Sequence, residues 1–291
     1  MSNNETDRRP SPDDAQRTVD AVRDRYGAIA RTGSGCCPPQ ASCCGSSPNQ
    51  VIAIGIGYTP ADLGLLPEGA NLGLGCGAPI AHLDLRPGET VLDLGSGPGA
   101  DAILAARAVG PNGRVLGVDM TAEMLARARE NAAAAGLDNV EFRGGRLESL
   151  PVDDATVDAV TSNCVVNLVP DKAAVFREIH RVLRPGGRLV IADILLDGPL
   201  PAAIATDVLA WVGCIAGAME RTRYFALLEA AGLRDVEVLR DVDFLAATGG
   251  DDPVELREIM AAAGVTAAEI AGVVHSVTFR AVKPADNRVA R

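Results

Sequence analysis

Nine residues, Val91-Leu92-Asp93-Leu94-Gly95-Ser96-Gly97-Pro98-Gly99, constrain this chain more than any other stretch. A short apolar run breaks into glycines at alternate positions, and Ala100 to Ala108 resumes with helix-forming residues. That is strand, tight turn, helix. The glycines let the backbone turn sharply and let a ligand approach without a Cβ in the way. The helix N-terminus behind them offers N–H groups to a polar ligand.

The next apolar run, Arg114 to Val118, ends in Asp119, twenty residues after Gly99. A carboxylate there can accept both hydroxyls of a ribose. Only one residue separates the second and third glycines, where the dinucleotide fingerprint has two, so no pyrophosphate cradle is expected. Asp93, just before the turn, can face an ammonium group. An adenosine carrying an amino acid, S-adenosyl-L-methionine, satisfies all three features. The plainer alternative is an ordinary α/β turn with a surface Asp.

Around this turn the pattern alternates. Strands are expected at Thr90–Leu94, Arg114–Val118, Val140–Arg143, Val157–Ser162 and Arg188–Ile194. Helices are expected over Ala100–Val109, from a Thr121 cap to Gly136, and over Asp171–Leu183, the last stopped by Arg184-Pro185-Gly186-Gly187. Strands alternating with helices call for a doubly wound, mostly parallel sheet covered on both faces, a Rossmann-like α/β fold. Beyond Asp197 two helices (Ala202–Met219 and Thr222–Ala231), a strand (Val236–Leu239), a helix (Pro253–Ala262) and a last strand (Val273–Val282) complete the sheet and cap its substrate side. At the other end, Ser11, Pro12 and Asp14 start a helix with apolar residues at Ala15, Val19, Val22, Tyr26 and Ile29, read as a lid. The expected divisions are an N-terminal extension over 1–70, a donor-binding core over 71–198 and a C-terminal cap over 199–291.

Charge and composition narrow the partners. With 27 basic and 38 acidic residues the net charge is −11, which repels phosphate backbones and disfavours a nucleic-acid substrate. Aromatic residues make up 3% of the chain, too few for a stacking platform, so the acceptor is expected to be small. The polar N-terminus lacks a signal-peptide core. Only Leu200–Met219 approaches the length of a membrane span, and it carries Asp207, which at mid-membrane costs about 2.5–3.5 kcal/mol. The expectation is a cytoplasmic protein, monomeric and without a membrane partner, whose seven cysteines stay reduced.

Those cysteines carry the chemistry. Cys36-Cys37 and Cys43-Cys44 sit in a Gly-, Ser- and Pro-rich loop, Thr32 to Gln50. They lack the two-residue gap of a zinc clip, and exposed thiols are otherwise a liability, which favours redox or soft-ion work over an inert tail. Cys76 lies in the glycine-dense loop Asn71–Pro79, just before the first strand of the core. Cys164 ends the fourth strand, beside the crevice where strand order reverses. Cys214, in Trp211-Val-Gly-Cys-Ile-Ala-Gly217, reads alone as core packing but can complete a three-thiolate site.

Three soft sulfurs select zinc, copper(I) or trivalent arsenic. A methyl donor beside them points to arsenic, which has a lone pair to methylate and no proton to lose. A general base is therefore unnecessary, and His82, His180 and His275 are read as structural.

The motifs Leu72-Gly-Leu-Gly-Cys76-Gly, Val91 to Gly99, Ser162-Asn-Cys164-Val-Val-Asn-Leu and Cys214-Ile-Ala-Gly-Ala resemble those of the arsenite S-adenosylmethionine methyltransferases, within the class I methyltransferases. The likeness runs from about Val19 to Gly217. It implies that Cys164 and Cys214 hold arsenic(III), with Cys76 and an N-terminal thiol taking part. That thiol falls within the doubled pairs Cys36-Cys37 or Cys43-Cys44, with Cys37 as the candidate, and the doubling departs from the single Cys of better-known members. Asp93, Gly95, Ser96, Gly97, Gly99 and Asp119 would bind the donor, with Met120 flanking the adenine. Where many class I enzymes place an Asp after the third strand, this chain has Gly145-Arg146-Leu147-Glu148. The adenine then falls to the Leu147 backbone, with Glu148 and Asn163 in the same pocket. An external thiol reductant, glutathione or thioredoxin, would close the cycle. The alternatives are methylation of a small organic carbon or oxygen centre with packing cysteines, and a metalloid or zinc sensor without chemistry.

Overall fold

The computed structural model describes residues 12–33, 48–201, 204, 217–243, 260–261 and 264–285. Ser11, Cys36, Cys37, Cys43, Cys44, Cys214 and most of the helices expected over Ala202–Met219 and Pro253–Ala262 lie outside the described residues.

Among the described residues eight strands form one sheet: β1 Thr90–Leu94, β2 Arg114–Asp119, β3 Val140–Gly144, β4 Val157–Asn163, β5 Leu183–Leu196, β6 Met219–Glu220, β7 Arg234–Asp243 and β8 Val274–Val282. Their order is β3-β2-β1-β4-β5-β8-β7, with β6 pairing β5 off this path. Strands β1 to β6 pair in parallel, and β8 runs antiparallel between β5 and β7. The order reverses between β1 and β4, as the alternating pattern requires.

Both faces of the central strands are covered, so β1 is almost wholly buried and its neighbours alternate between two cores. Val91 packs with Ala102 and Ala105 of α4 (Ala100–Val109), Leu125 of α5 (Ala122–Ala134) and Phe142 of β3. Leu92 and Leu94 face the other way, toward Val175, Phe176 and Ile179 of α6 (Lys172–Val182) and Tyr224 and Leu228 of α7 (Arg221–Ala230). There Tyr224 stands edge-on to Phe176, Phe225 and Phe279, with ring centroids 5.1, 6.3 and 5.7 Å away. Edge-to-face stacking favours such rings beyond the area they bury.

The helix expected at the N-terminal end forms as α1, Pro12–Thr32. Asp13 and Asp14 sit in its first turn and Arg31 in its last, each matched to the helix dipole. It buries Val19, Val22, Ile29 and Ala30, and Arg31 pairs with Glu123 of α5.

Several local expectations are corrected. The loop expected through Gln50 gives way at Pro48 to α2 (Pro48–Ile56), and α3 (Pro60–Gly64) follows behind a Thr59–Asp62 capping box. Proline pre-sets the dihedral of a first helical turn, and Ile52, Ala53 and Ile56 turn inward while Val51 and Ile54 stay exposed. Helix α6 ends at Val182, and β5 begins at Leu183 instead of Arg188. Leu183 already pairs with Val157, while a register shift before Ala159 absorbs the Pro-Gly-Gly stretch. Met219, expected to end a helix, starts β6. Thr121 stands at the N-cap of α5 but makes no side-chain cap bond. No helix among the described residues is long and apolar enough to cross a membrane.

Candidate functional site

The glycine turn closes on itself. Gly95 and Ser96 N–H donate to Val118 O at 2.8 and 3.1 Å, Gly97 N–H to Asp119 Oδ2 at 2.9 Å, and Gly99 N–H to Ser96 O at 2.9 Å. Ala102 N–H, on the first turn of α4, donates to the Asp93 carboxylate. These turn amides are spent within the fold, while Ala100 and Asp101, which open α4, line the cavity. Glycine is required at position 95: φ is +64°, and a Cβ would collide with the Val165 side chain.

What the turn presents to the cavity is carboxylate. Asp93, Asp101 and Asp119 all line it and all are buried. Asp93 Oδ2 has no hydrogen-bond partner among the described residues. Burial, then the charges of Asp101 and Asp119, hold the Asp93 carboxyl well above its ordinary range. Burial pushes Asp101 up to about 6 and raises Asp119. A cavity of this kind suits a cationic ligand, whose charge restores the ionised carboxylates. Each Asp119 oxygen already takes one backbone N–H, from Gly97 at 2.9 Å and Thr121 at 2.8 Å, and keeps a second lone pair for a hydroxyl. The residues present therefore fit a nucleoside bearing an ammonium and a second cationic centre.

Met120, Leu147, Glu148 and Asn163 line the same cavity, as do Gly95, Ser96 and Gly97, while Gly99 packs beneath it against Phe142. Glu148 is paired with Arg146 at 2.7 Å. Val19, Val22 and Tyr26 of α1 also reach the cavity.

Two of the thiols meet. Cys76 and Cys164 are buried, and their Sγ atoms and a carboxylate oxygen of Asp193 all lie within 4.8 Å of one another. Cys164 adopts φ +59°, the left-handed region uncommon outside glycine, and its N–H donates to Ala192 O at 2.8 Å. The chain leaves β4 and turns its thiol within one residue, a strained conformation of the sort that functional sites keep. Cys164 itself lines the cavity.

The loop around Cys76 has no regular structure of its own and is held from outside. Asn163 Oδ1 accepts Cys76 N–H at 3.0 Å and Gly77 N–H at 3.2 Å, and Asn163 Nδ2 donates to Gly77 O at 2.7 Å. Ser276 Oγ of β8 donates to Cys76 O at 2.5 Å. A Cβ at Gly77 would stand 2.5 Å from the Ala192 side chain, so the loop lies flat on β5. Asn163 Nδ2 also donates to Tyr58 Oη at 2.9 Å, and Tyr58 Oη donates to Asp101 Oδ1 at 2.6 Å. The thiol loop and the donor cavity therefore share a wall.

Sequence reasoning missed Tyr58, Asp101, Asp193 and Tyr224. Asp101 was reachable, since it follows the glycine turn, and so was Asp193, a carboxylate set inside the apolar run of the expected fifth strand; Tyr58 carried no local signal. His275 serves structure as expected, with Nδ1 2.7 Å from Asp241 Oδ1.

A family model described as a methyltransferase domain matches residues 85–232. A protein of Halobacterium salinarum named arsenite methyltransferase is 46% identical over 232 residues, covering 77% of this chain and 59% of that one. Another so named, from Aquipseudomonas alcaligenes, is 40% identical over 182 residues, covering 60% and 52%. The chain thus spans between half and three-fifths of the length of these relatives. Among solved structures, an arsenic(III) S-adenosylmethionine methyltransferase from Chlamydomonas reinhardtii superposes with a TM-score of 0.60 at 28% identity, covering 87% of this chain and 76% of the other. The strand order, the turn and the match over the core agree: this chain belongs to the methyltransferase-domain family, in its class I, Rossmann-like form.

Proposed function

We propose that the protein transfers methyl groups from S-adenosyl-L-methionine to trivalent arsenic held by cysteine thiolates, giving methylated arsenicals. The observation that carries this reading is the meeting of the Cys76 and Cys164 sulfurs beside a cavity walled by three carboxylates. The names of the relatives support it.

The donor supplies an electrophilic methyl on a sulfonium. Asp93 Oδ2, the unpartnered buried acceptor, takes its ammonium, and Asp119 takes the ribose hydroxyls. Met120 and Leu147 flank the adenine, with Glu148 at the same end. Cys76 and Cys164 hold arsenic(III), and Cys214 adds the third thiolate. The three sulfurs leave arsenic trigonal, with its lone pair aimed at the methyl carbon. The As–C bond forms as the S–C bond breaks, and that pair of electrons stays on the donor sulfur. No proton moves, so the site needs positioning and exclusion of water more than a base. Arsenic leaves the step in the pentavalent state. Two electrons from thiols return it to the trivalent state as a disulfide closes, and an external thiol reductant, glutathione or thioredoxin, reopens it. Cys37 or a neighbouring N-terminal thiol relays those electrons. This reading includes a cytoplasmic monomer.

Incubation with arsenite, donor and thiol should give methylated arsenicals by chromatography coupled to elemental mass spectrometry. Cys76→Ser and Cys164→Ser should lower the rate by at least about a hundredfold, as losing a ligand or nucleophile does. Unchanged turnover in Cys164→Ser would assign the methyl to an organic acceptor instead.

A further inference from the structure

Behind the two thiols lies a polar group that the reaction above does not use. Asp193 stands on β5, next to the residue whose carbonyl holds Cys164, and is fully buried. Its Oδ2 accepts Tyr224 Oη at 3.1 Å and Asn167 N–H at 3.1 Å, and its Oδ1 accepts Ile194 N–H at 3.1 Å. Buried Lys172 lies close enough for its charge to act on the carboxyl, while its Nζ donates to Asn167 O and Val169 O. Removing a carboxylate from water costs several kcal/mol unless its surroundings compensate. Here two donors hold Oδ2 and one holds Oδ1, and one of these oxygens lies within 4.8 Å of both sulfurs.

The chemistry of two-thiol capture gives that oxygen a partner. When arsenous acid, As(OH)3, meets two thiols, two As–S bonds form and two As–O bonds break. Each departing hydroxide leaves as water with a thiol proton, and one hydroxyl stays on arsenic. Methylarsonous acid, CH3As(OH)2, loses both hydroxyls in the same exchange and keeps none.

Resting on the arsenic reading above, we propose that Asp193 is a specificity-determining residue: its carboxylate accepts a hydrogen bond from the hydroxyl that arsenite retains when Cys76 and Cys164 have captured it, so that capture favours arsenite over methylarsonous acid. The third thiol then displaces that hydroxyl. Asp193 thus acts on the first methylation and leaves the second to the thiols alone.

Equilibrium dialysis of the full chain, with arsenic counted by elemental mass spectrometry, measures both affinities in a Cys214→Ser background that keeps the two-thiol state. In that background Asp193→Asn should weaken arsenite about tenfold, the cost of losing a hydrogen bond to a charged acceptor, and change methylarsonous acid less than twofold. Equal losses for the two ligands, or none, would overturn the proposal. Tyr224→Phe removes one competing donor and leaves the carboxylate, so the preference for arsenite should hold or rise; a fall overturns the proposal even if Asp193→Asn does not fold. If the wild-type chain binds neither arsenical, the arsenic reading itself fails. If it binds both without a contribution from Asp193, only the present inference fails.

Discussion

Asn163 Oδ1 accepts the backbone N–H of Cys76 at 3.0 Å, across 87 positions of sequence. One amide therefore pins the thiol loop to the end of β4 while its nitrogen reaches Tyr58 on the cavity wall. Asn163→Ala removes several neutral hydrogen bonds at once, each contributing about 1 kcal/mol. Arsenite affinity should fall at least about tenfold, and the loss should exceed that for the donor when both are titrated.

Asp93→Asn should move stability and binding in opposite directions. The carboxamide can still accept Ala102 N–H, while the buried charge crowded by Asp101 and Asp119 is gone. The ligand-free protein should melt higher at pH 8, and donor affinity should drop at least about tenfold for want of the carboxylate facing the ammonium. Calorimetric titration with donor and a melting curve check both signs.

Gly95 and Gly97 should respond differently to alanine. Both have positive φ, +64° and +50°. A Cβ on Gly97 meets nothing within 4 Å, so Gly97→Ala should cost about 1–2 kcal/mol for the left-handed backbone alone. Gly95→Ala adds the collision with Val165 and should cost at least about 1–3 kcal/mol more, read as a larger fall in melting temperature.

The acidic cavity should also leave a mark on pH dependence. Burial raises the Asp101 carboxyl from its ordinary value near 3.8 to about 6. Between those values the folded state binds more protons than the unfolded state, so stability falls as pH rises through that window. Asp101→Asn should flatten the decline in melting temperature between about pH 4 and pH 6. A gap in melting temperature between wild type and Asp101→Asn that stays constant across this range would contradict the assignment.

Much of this protein was legible in its residues before any coordinates. The run Val91 to Gly99 and Asp119 determined a strand, a turn and a buried carboxylate at the end of the next strand, because local sterics and period-two burial act over a few residues. Alternation of apolar runs with helix formers was enough to call a doubly wound sheet and its reversal between β1 and β4. Cys164 at a strand end was legible for the same reason. The Pro-Gly-Gly stretch after α6 was misread because pairing of Leu183 with Val157 of β4, a long-range matter, carries the strand back to Leu183.

Only the tertiary structure decided what the cysteine loop rests on. Within Asn71–Pro79 a local bond runs from Gly73 N–H to the Asn71 side chain, but around Cys76 it is Asn163, Ser276 and the flat surface of Ala192, from three distant segments, that hold the loop. The pairing of Cys76 with Cys164, and the carboxylate of Asp193 behind them, likewise exist only once β4, β5 and β8 lie side by side. Local propensity acts through neighbours in the chain, whereas a site is made of neighbours in space.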